Sequence, residues 1–292
     1  MTLKRLALCL LAGSITACGS HGSASASPSQ TLQDALKAMG GLKAARADYV
    51  RDYWQHYPPS YPFQQLPGMP VGTISVRLSG AGEVQFPDRY HYTITIVEGG
   101  EAKPTPAPTA SVVVQLIWIH GAAYRTNPVQ GHLEFGAAAI PLWVKSKSPG
   151  NLMPVNPFTT LDELRHASAT RDLGDAILNG ISVHHYAMQE DKSVLLSQET
   201  TLVSDPKFQT AIQDKINSED REIEVWIGVD DGLLHRISER WSLKETVGLL
   251  QAEVKGQPLP DLAAEMTEIR GGFVLNFHDF NRPVNITAPS LS

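Results

Sequence analysis

The sequence predicts a mainly antiparallel β domain of the α+β class: one large curved sheet with a few helices on its concave side. Three observations predict it. Apolar and polar residues alternate with period two in many runs, the mark of strands with one packed and one wet face. Only two runs carry the 3.6-residue period of an amphipathic helix, and both are short. The two cysteines, Cys9 and Cys18, both lie at the start of the chain, so the remainder holds together by packing and hydrogen bonds alone.

The strand runs come in order. Ile74, Val76 and Leu78 alternate with Thr73, Ser75 and Arg77, and Tyr90, Tyr92, Ile94 and Ile96 alternate with His91, Thr93, Thr95 and Val97. Later, Ile223, Val225, Ile227 and Val229 are expected on the concave side, with Glu222 and Glu224 outside. Ile237, Trp241 and Leu243 obey the same rule, as do Phe273, Leu275 and Phe277. Asp230-Asp231-Gly232 has the residues of a tight hairpin with a left-handed glycine. Val112 to Ile119 is almost continuously apolar, which predicts the strand most covered on both faces.

The first helix is expected from Thr31, with Thr31 and Asp34 as an approximate capping box and Leu32, Ala35, Leu36 and Met39 as its apolar stripe. Gly40-Gly41 ends it. The second is expected over Pro206 to Asn217, capped by Asp205, with Phe208, Ala211, Ile212 and Ile216 on one side. Three stretches break the pattern: Tyr57 to Pro70, Gly99 to Ala110, and Pro128 to Pro157. The last is long and contains Phe135, Ile140, Leu142 and Trp143, unusual for a loop that covers or binds nothing.

The beginning of the chain sets where the domain works. Lys4 and Arg5 precede an apolar run, Leu6 to Ile15, too short to span a bilayer and suited to an export signal. Ile15-Thr16-Ala17-Cys18 resembles the bacterial lipobox, which predicts lipid on Cys18 and cleavage before it. Residues 1–17 are thus read as a lipoprotein signal peptide, 18–30 as the lipidated cysteine with a flexible tether, and 31–292 as a single domain. Gly19 stands where an inner-membrane retention Asp would be. That places the protein on the outer membrane of a two-membrane bacterium, or on the outer face of the cell membrane in a one-membrane host.

Charge and motifs narrow the function. The net charge of −6 becomes more negative once Lys4 and Arg5 leave with the signal. Nucleic acid is a poor partner for such a surface, since its binding rests on Lys and Arg neutralising phosphates. Attraction to anionic lipid is disfavoured for the same reason. No G-x-S-x-G elbow, H-E-x-x-H helix or P-loop occurs. Gly80-Ala81-Gly82 starts like a dinucleotide fingerprint, but Gln85 takes the third glycine's place. His184 and His185 point to opposite faces of a strand and cannot share a metal. Trp226 and Trp241 are read as cross-strand packing. The expectation is a non-enzyme with no catalytic residue, no metal and no cofactor.

Four stretches in order resemble exported lipoproteins of the LolA-like group, nearest to the LppX/LprG type. They are Gly80-Ala81-Gly82-Glu83 leading to Pro87-Asp88-Arg89; Gly180-Ile181-Ser182-Val183-His184-His185-Tyr186; Val225-Trp226-Ile227-Gly228-Val229-Asp230-Asp231-Gly232-Leu233; and Phe277-His278-Asp279-Phe280-Asn281-Arg282-Pro283-Val284-Asn285-Ile286. The resemblance implies a half-open β-barrel wrapped around helices, with a hydrophobic cavity that takes the acyl chains of lipids. It implies a lipid or hydrophobic small-molecule ligand carried across the cell envelope, with the membrane reached through lipidated Cys18. The cavity candidates are Ile74, Val76, Tyr92, Ile94, Trp143, Ile223, Val225 and Ile227. The alternative is a non-enzymatic envelope sensor or scaffold that binds another protein.

Overall fold

The computed structural model describes residues 27–57, 72–100, 111–127, 142–146, 156–190, 216–244 and 268–291, with positions 192, 193, 196, 209 and 213. The signal, Cys18, most of the three irregular stretches and most of the expected second helix lie outside the described residues. Of that helix, positions 209, 213, 216 and 217 are described and helical, and Ile216 is buried.

Among the described residues, eleven antiparallel strands form one open sheet. In chain order they are β1 (Ala44–Tyr57), β2 (Gly72–Gln85), β3 (Arg89–Gly100), β4 (Ser111–Ile119), β5 (Ala122–Asn127), β6 (Leu142–Ser146), β7 (Ala167–Leu178), β8 (Ile181–Glu190), β9 (Asp220–Gly228), β10 (Leu234–Lys244) and β11 (Glu268–His278). Their order across the sheet is β6-β5-β4-β3-β2-β1-β11-β10-β9-β8-β7. Two meanders are therefore joined where β1 pairs with β11, and the free edges are β6 and β7. The sheet stays open, as a half-open barrel in which β6 and β7 do not pair with each other.

Two helices are described. The first, α1 (Pro28–Gly40), starts three residues earlier than Thr31. Ser27 is its N-cap, accepting a hydrogen bond from the Gln30 backbone N–H at 3.2 Å, and Pro28 takes the first turn. The second, α2 (Pro157–Leu164), begins where a loop was expected to end. Asn156 caps it through the Phe158 N–H at 3.0 Å. Because β6 and β7 occupy opposite edges, the chain joining them has to cross the opening, and α2 lies on that crossing. The Gln33 amide on α1 donates to the Arg165 carbonyl at 3.4 Å, tying the helices together.

Register assigns every strand residue to a face. Cross-strand partners share a side, so Tyr49, Gly80 and Ile94 form one concave row, as do Ala47, Gly82, Tyr92 and Leu116. On the other half, Leu275, Ile237, Val225 and Tyr186 form another. These rows and the apolar faces of both helices, Leu32, Leu36, Met39, Leu161 and Leu164, make one buried core.

Three expectations need correction. Val229 is not on the concave strand face: β9 ends at Gly228, and Val229 is exposed in the hairpin. The Val112–Ile119 run is not covered on both faces, since Val113 is 61% exposed and Gln115 is also exposed. Within the long Pro128–Pro157 connection, residues 142–146 form edge strand β6.

Candidate functional site

The concave face is the candidate site, and its two ends differ. At the α1 end, Ala47, Tyr92, Val225, Ile227 and Leu275 are fully buried. At the far end, the same face carries Ile74 and Val76 on β2, Tyr53 on β1, Ile269 and Phe273 on β11 and Trp241 on β10, all half-buried. Val76 and Phe273 pack against the margin of the core. The apolar face thus runs beyond what the two described helices cover.

The predicted residues divide accordingly. Tyr92, Ile94, Ile223, Val225 and Ile227 sit together in the closed core, while Ile74 and Val76 stand at its far margin. Trp143 does not join them. It pairs with Thr126, and its neighbour Lys145 pairs with Tyr124, which places Trp143 on the outer face, opposite Leu116 and Ala123. The length and apolar content of the Pro128–Pro157 connection suggested Trp143; the register of an edge strand decides its side.

A layer of flattened aromatic rings floors the middle of the face. Tyr49 pairs with Gly80 and Tyr92 with Gly82. A Cβ on Gly80 would lie 2.7 Å from Tyr49 Cε1, and one on Gly82 would lie 2.4 Å from Tyr92 Cδ1. The glycines let both rings lie down on β2, which is what the glycine pair serves in place of a phosphate loop. Tyr49 and Tyr92 meet edge to face at 5.2 Å, Tyr90 adds a ring at 5.4 Å from Tyr92, and Phe158 of α2 closes on Tyr90 at 6.2 Å. The hydroxyls of Tyr49, Tyr90 and Tyr92 are buried with no hydrogen-bond partner among the described residues. Burial pushes all three phenols far above their ordinary range, and the Arg51 guanidinium draws Tyr49 partly back. They are neutral donors in the middle of the concave face. Gly82→Ala is expected to cost about 1–3 kcal/mol, because its Cβ would also meet the His91 carbonyl and neither backbone can yield. A urea unfolding midpoint equal to wild type would show that the rings are free to lift.

Charge enters the far end through residues that alternation did not reveal. Glu239 faces inward between Ile237 and Trp241, 7% exposed, and accepts from Arg221 at 2.7 Å. Arg221 also approaches Glu163 of α2 at 3.9 Å, linking the strap across the opening to the sheet. Nearby, the Tyr53 hydroxyl donates to the buried Gln55 amide oxygen at 2.5 Å, and Tyr53 leans on Trp241 at 6.3 Å.

The outer face is polar and laddered. His185 stacks on Trp226 at 4.3 Å and bonds Glu224 at 3.0 Å, and Arg236 lies over the same indole at 5.5 Å. His184 turns the other way and pairs with Asp175, so the two histidines are separated by the sheet as expected. Among the described residues no cluster of His, Cys, Asp or Glu is arranged to hold a metal. One open hollow of about 530 Å³ lies mainly on this outer face, between Trp54, Arg240, Arg270 and Gly272. Another, of about 580 Å³, lies between α1 and the ends of β7 to β9, and Ile227 is the one cavity candidate lining it.

Together these features define an open antiparallel half-barrel with an apolar concave face, the architecture that the four sequence stretches imply. The last of those stretches closes it. Asn281 adopts a left-handed φ of 57° and bonds the Lys43 N–H through its side chain and the Ala44 carbonyl through its backbone. No protein-family model matches the chain, and no curated protein matches it. Solved structures do. LprF from Mycobacterium bovis is 11% identical with a TM-score of 0.40, over 90% of this chain and 97% of that one. The lipoprotein LppX from Mycobacterium tuberculosis is 15% identical with a TM-score of 0.38, over 89% and 97%. A LolA superfamily protein from Nitrosomonas europaea is 9% identical with a TM-score of 0.25, over 90% and 98%. Likenesses this distant say nothing of ligand, so the functional reading rests on the residues.

Proposed function

We propose that this protein is an extracytoplasmic lipoprotein, held to the membrane by lipid on Cys18, that binds a lipid or other hydrophobic ligand on its concave face and carries it across the envelope. The observation that carries the reading is the far end of that face. Val76, Phe273 and Trp241 are large apolar side chains on the same face as the core that stay half-buried. An acyl chain laid along them gains about 0.8 kcal/mol for each CH₂ removed from water. The reading needs no acid, base or nucleophile. No helix among the described residues is long and apolar enough to cross a membrane, and a lipid on Cys18 supplies the attachment instead.

The test has two arms. Protein purified from its host is extracted with organic solvent and the extract is read by mass spectrometry, with a reproducible lipid expected at about one per chain. Uptake of a fluorescent fatty-acid probe is then compared with that of Val76→Arg, which places a charge at the half-buried margin and is expected to abolish uptake while the fold persists. Protein that yields no lipid and takes up no probe would overturn the carrier reading. It would favour a non-enzymatic sensor or scaffold, for which the outer hollow at Trp54 and Arg270 is the available contact surface. In the same preparations, Cys18→Ser is expected to shift the protein out of the membrane fraction.

A further inference from the structure

Apolar side chains are exposed at one corner of the sheet. The β7–β8 hairpin turns at Asn179–Gly180, both at positive φ, and carries Ile177 at 73% exposure and Ile181 at 39%. Beside it, the β9–β10 hairpin exposes Val229 at 45%. The two tips are joined, since the Val229 N–H donates to the Ser182 carbonyl at 3.0 Å and Ser182 pairs with Ile177. Hairpin tips ordinarily carry polar turn residues, and single exposed apolar side chains need no explanation. Here two adjacent tips present three of them on one rim.

The same corner is where the chain enters the fold. Pro28 and Thr31 of α1 line the 580 Å³ hollow together with Gly228, Val229 and Gly232. Nine residues lie between Cys18 and Pro28, a span of ten Cα–Cα steps. A chain of that length reaches at most about 35 Å fully extended, and roughly 17 Å on average for a coil of small polar residues. A lipid on Cys18 therefore keeps this corner, rather than the β6 edge or the outer face, nearest the membrane.

We propose that the rim formed by Ile177, Ile181 and Val229 is a membrane-docking surface that inserts into the interface of an electrically neutral lipid leaflet. The proposal rests on the anchored reading of Cys18. Insertion is apolar rather than electrostatic. Asp175, Asp230 and Asp231 flank the tips, so anionic lipid repels this corner where a basic docking patch would be drawn to it. Docking there turns the α1 end of the concave face toward the bilayer and leaves its far end, around Val76 and Phe273, open to solvent-borne partners.

The experiment uses the mature, lipidated full chain. Once Cys18 carries its lipid, the chain holds no other thiol, so Ile177→Cys, Val229→Cys and, as a control on the outer face of β4, Val113→Cys each take one environment-sensitive fluorophore. The proteins are reconstituted in phosphatidylcholine vesicles at several protein-to-lipid ratios, with the lipid on Cys18 verified by intact mass. The expected result is a blue-shifted emission and quenching by a lipid-borne quencher at positions 177 and 229, none at 113, independent of protein density and weakened by added phosphatidylglycerol. Water-like emission at 177 and 229 in protein of lipidated mass overturns the docking surface and leaves the anchor standing. A shift that grows with protein density assigns the rim to a second copy of the chain and overturns it as well. An intact mass without lipid overturns the anchor and the docking surface together.

Discussion

Replacing Arg221 with Met is expected to remove about 3 kcal/mol of folding stability. The pair it belongs to is nearly enclosed, with side-chain exposures of 18% for Arg221 and 8% for Glu239. Taking one partner from a buried ion pair costs about 3–5 kcal/mol, because the other charge stays where water cannot reach it. The residual exposure of Arg221 sets the estimate at the lower end. Its second neighbour, Glu163 at 3.9 Å, lies on the helix that crosses the open side of the barrel, so the substitution also loosens α2. Urea unfolding measures the first effect. Hydrogen exchange in residues 157–164 measures the second, expected to quicken more than exchange in β1. Arg221→Lys retains the charge without the guanidinium's fork and is expected to fall between Met and wild type. A Met variant within about 0.5 kcal/mol of wild type would show that the pair is solvated in solution.

Ile227→Ala is expected to cost roughly 2–5 kcal/mol. Ile227 is fully buried near the end of β9, pairs with Leu234 and His184, and belongs to the core shared with α1. Its side chain is 1% exposed, so the deleted carbons leave a cavity next to the hollow beside α1. The companion substitution, Val225→Trp, overpacks the same region and is expected to cost about 1–3 kcal/mol. The pair distinguishes closed core from ligand space. Loss of stability with probe uptake per folded molecule unchanged places the ligand at the far end, around Val76 and Phe273. Loss of uptake with stability retained would instead put it among Val225 and Ile227, opening a region that is closed in this structure.

Legibility differed from element to element. The inward faces of β3 and β9 were readable because a half-buried strand writes its burial into every second residue, and Tyr90 to Ile96 and Ile223 to Ile227 do so without interruption. Strand β1, between β2 and β11 at the junction of the two meanders, went unassigned. Its concave side reads Ala45, Ala47, Tyr49, Arg51, Tyr53 and Gln55, with alanines, an arginine and an amide where large aliphatic residues would have given the signal. Helix α2 had a usable local mark in Asn156-Pro157, a cap followed by a proline, but it fell at the end of a stretch read as loop.

By itself the sequence determined what depends on near neighbours along the chain. The alternation of strand faces, the left-handed Gly232 in its hairpin, the first helix from its apolar stripe and the opposed directions of His184 and His185 are all of this kind. The tertiary structure alone decided what depends on partners far away. Pairing of β1 with β11 joins residues more than two hundred positions apart, and no local pattern encodes it. That pairing set the order of the sheet, and other cross-strand pairings decided three further features. Trp143 fell on the outer face, because its side is set by the register of β6 on β5. Glu239 found Arg221 across the β9–β10 pair, turning an apparent break in alternation into a buried ion pair. Gly80 and Gly82 became the bed for Tyr49 and Tyr92, because a missing side chain acquires meaning only from the ring that a neighbouring strand lays over it.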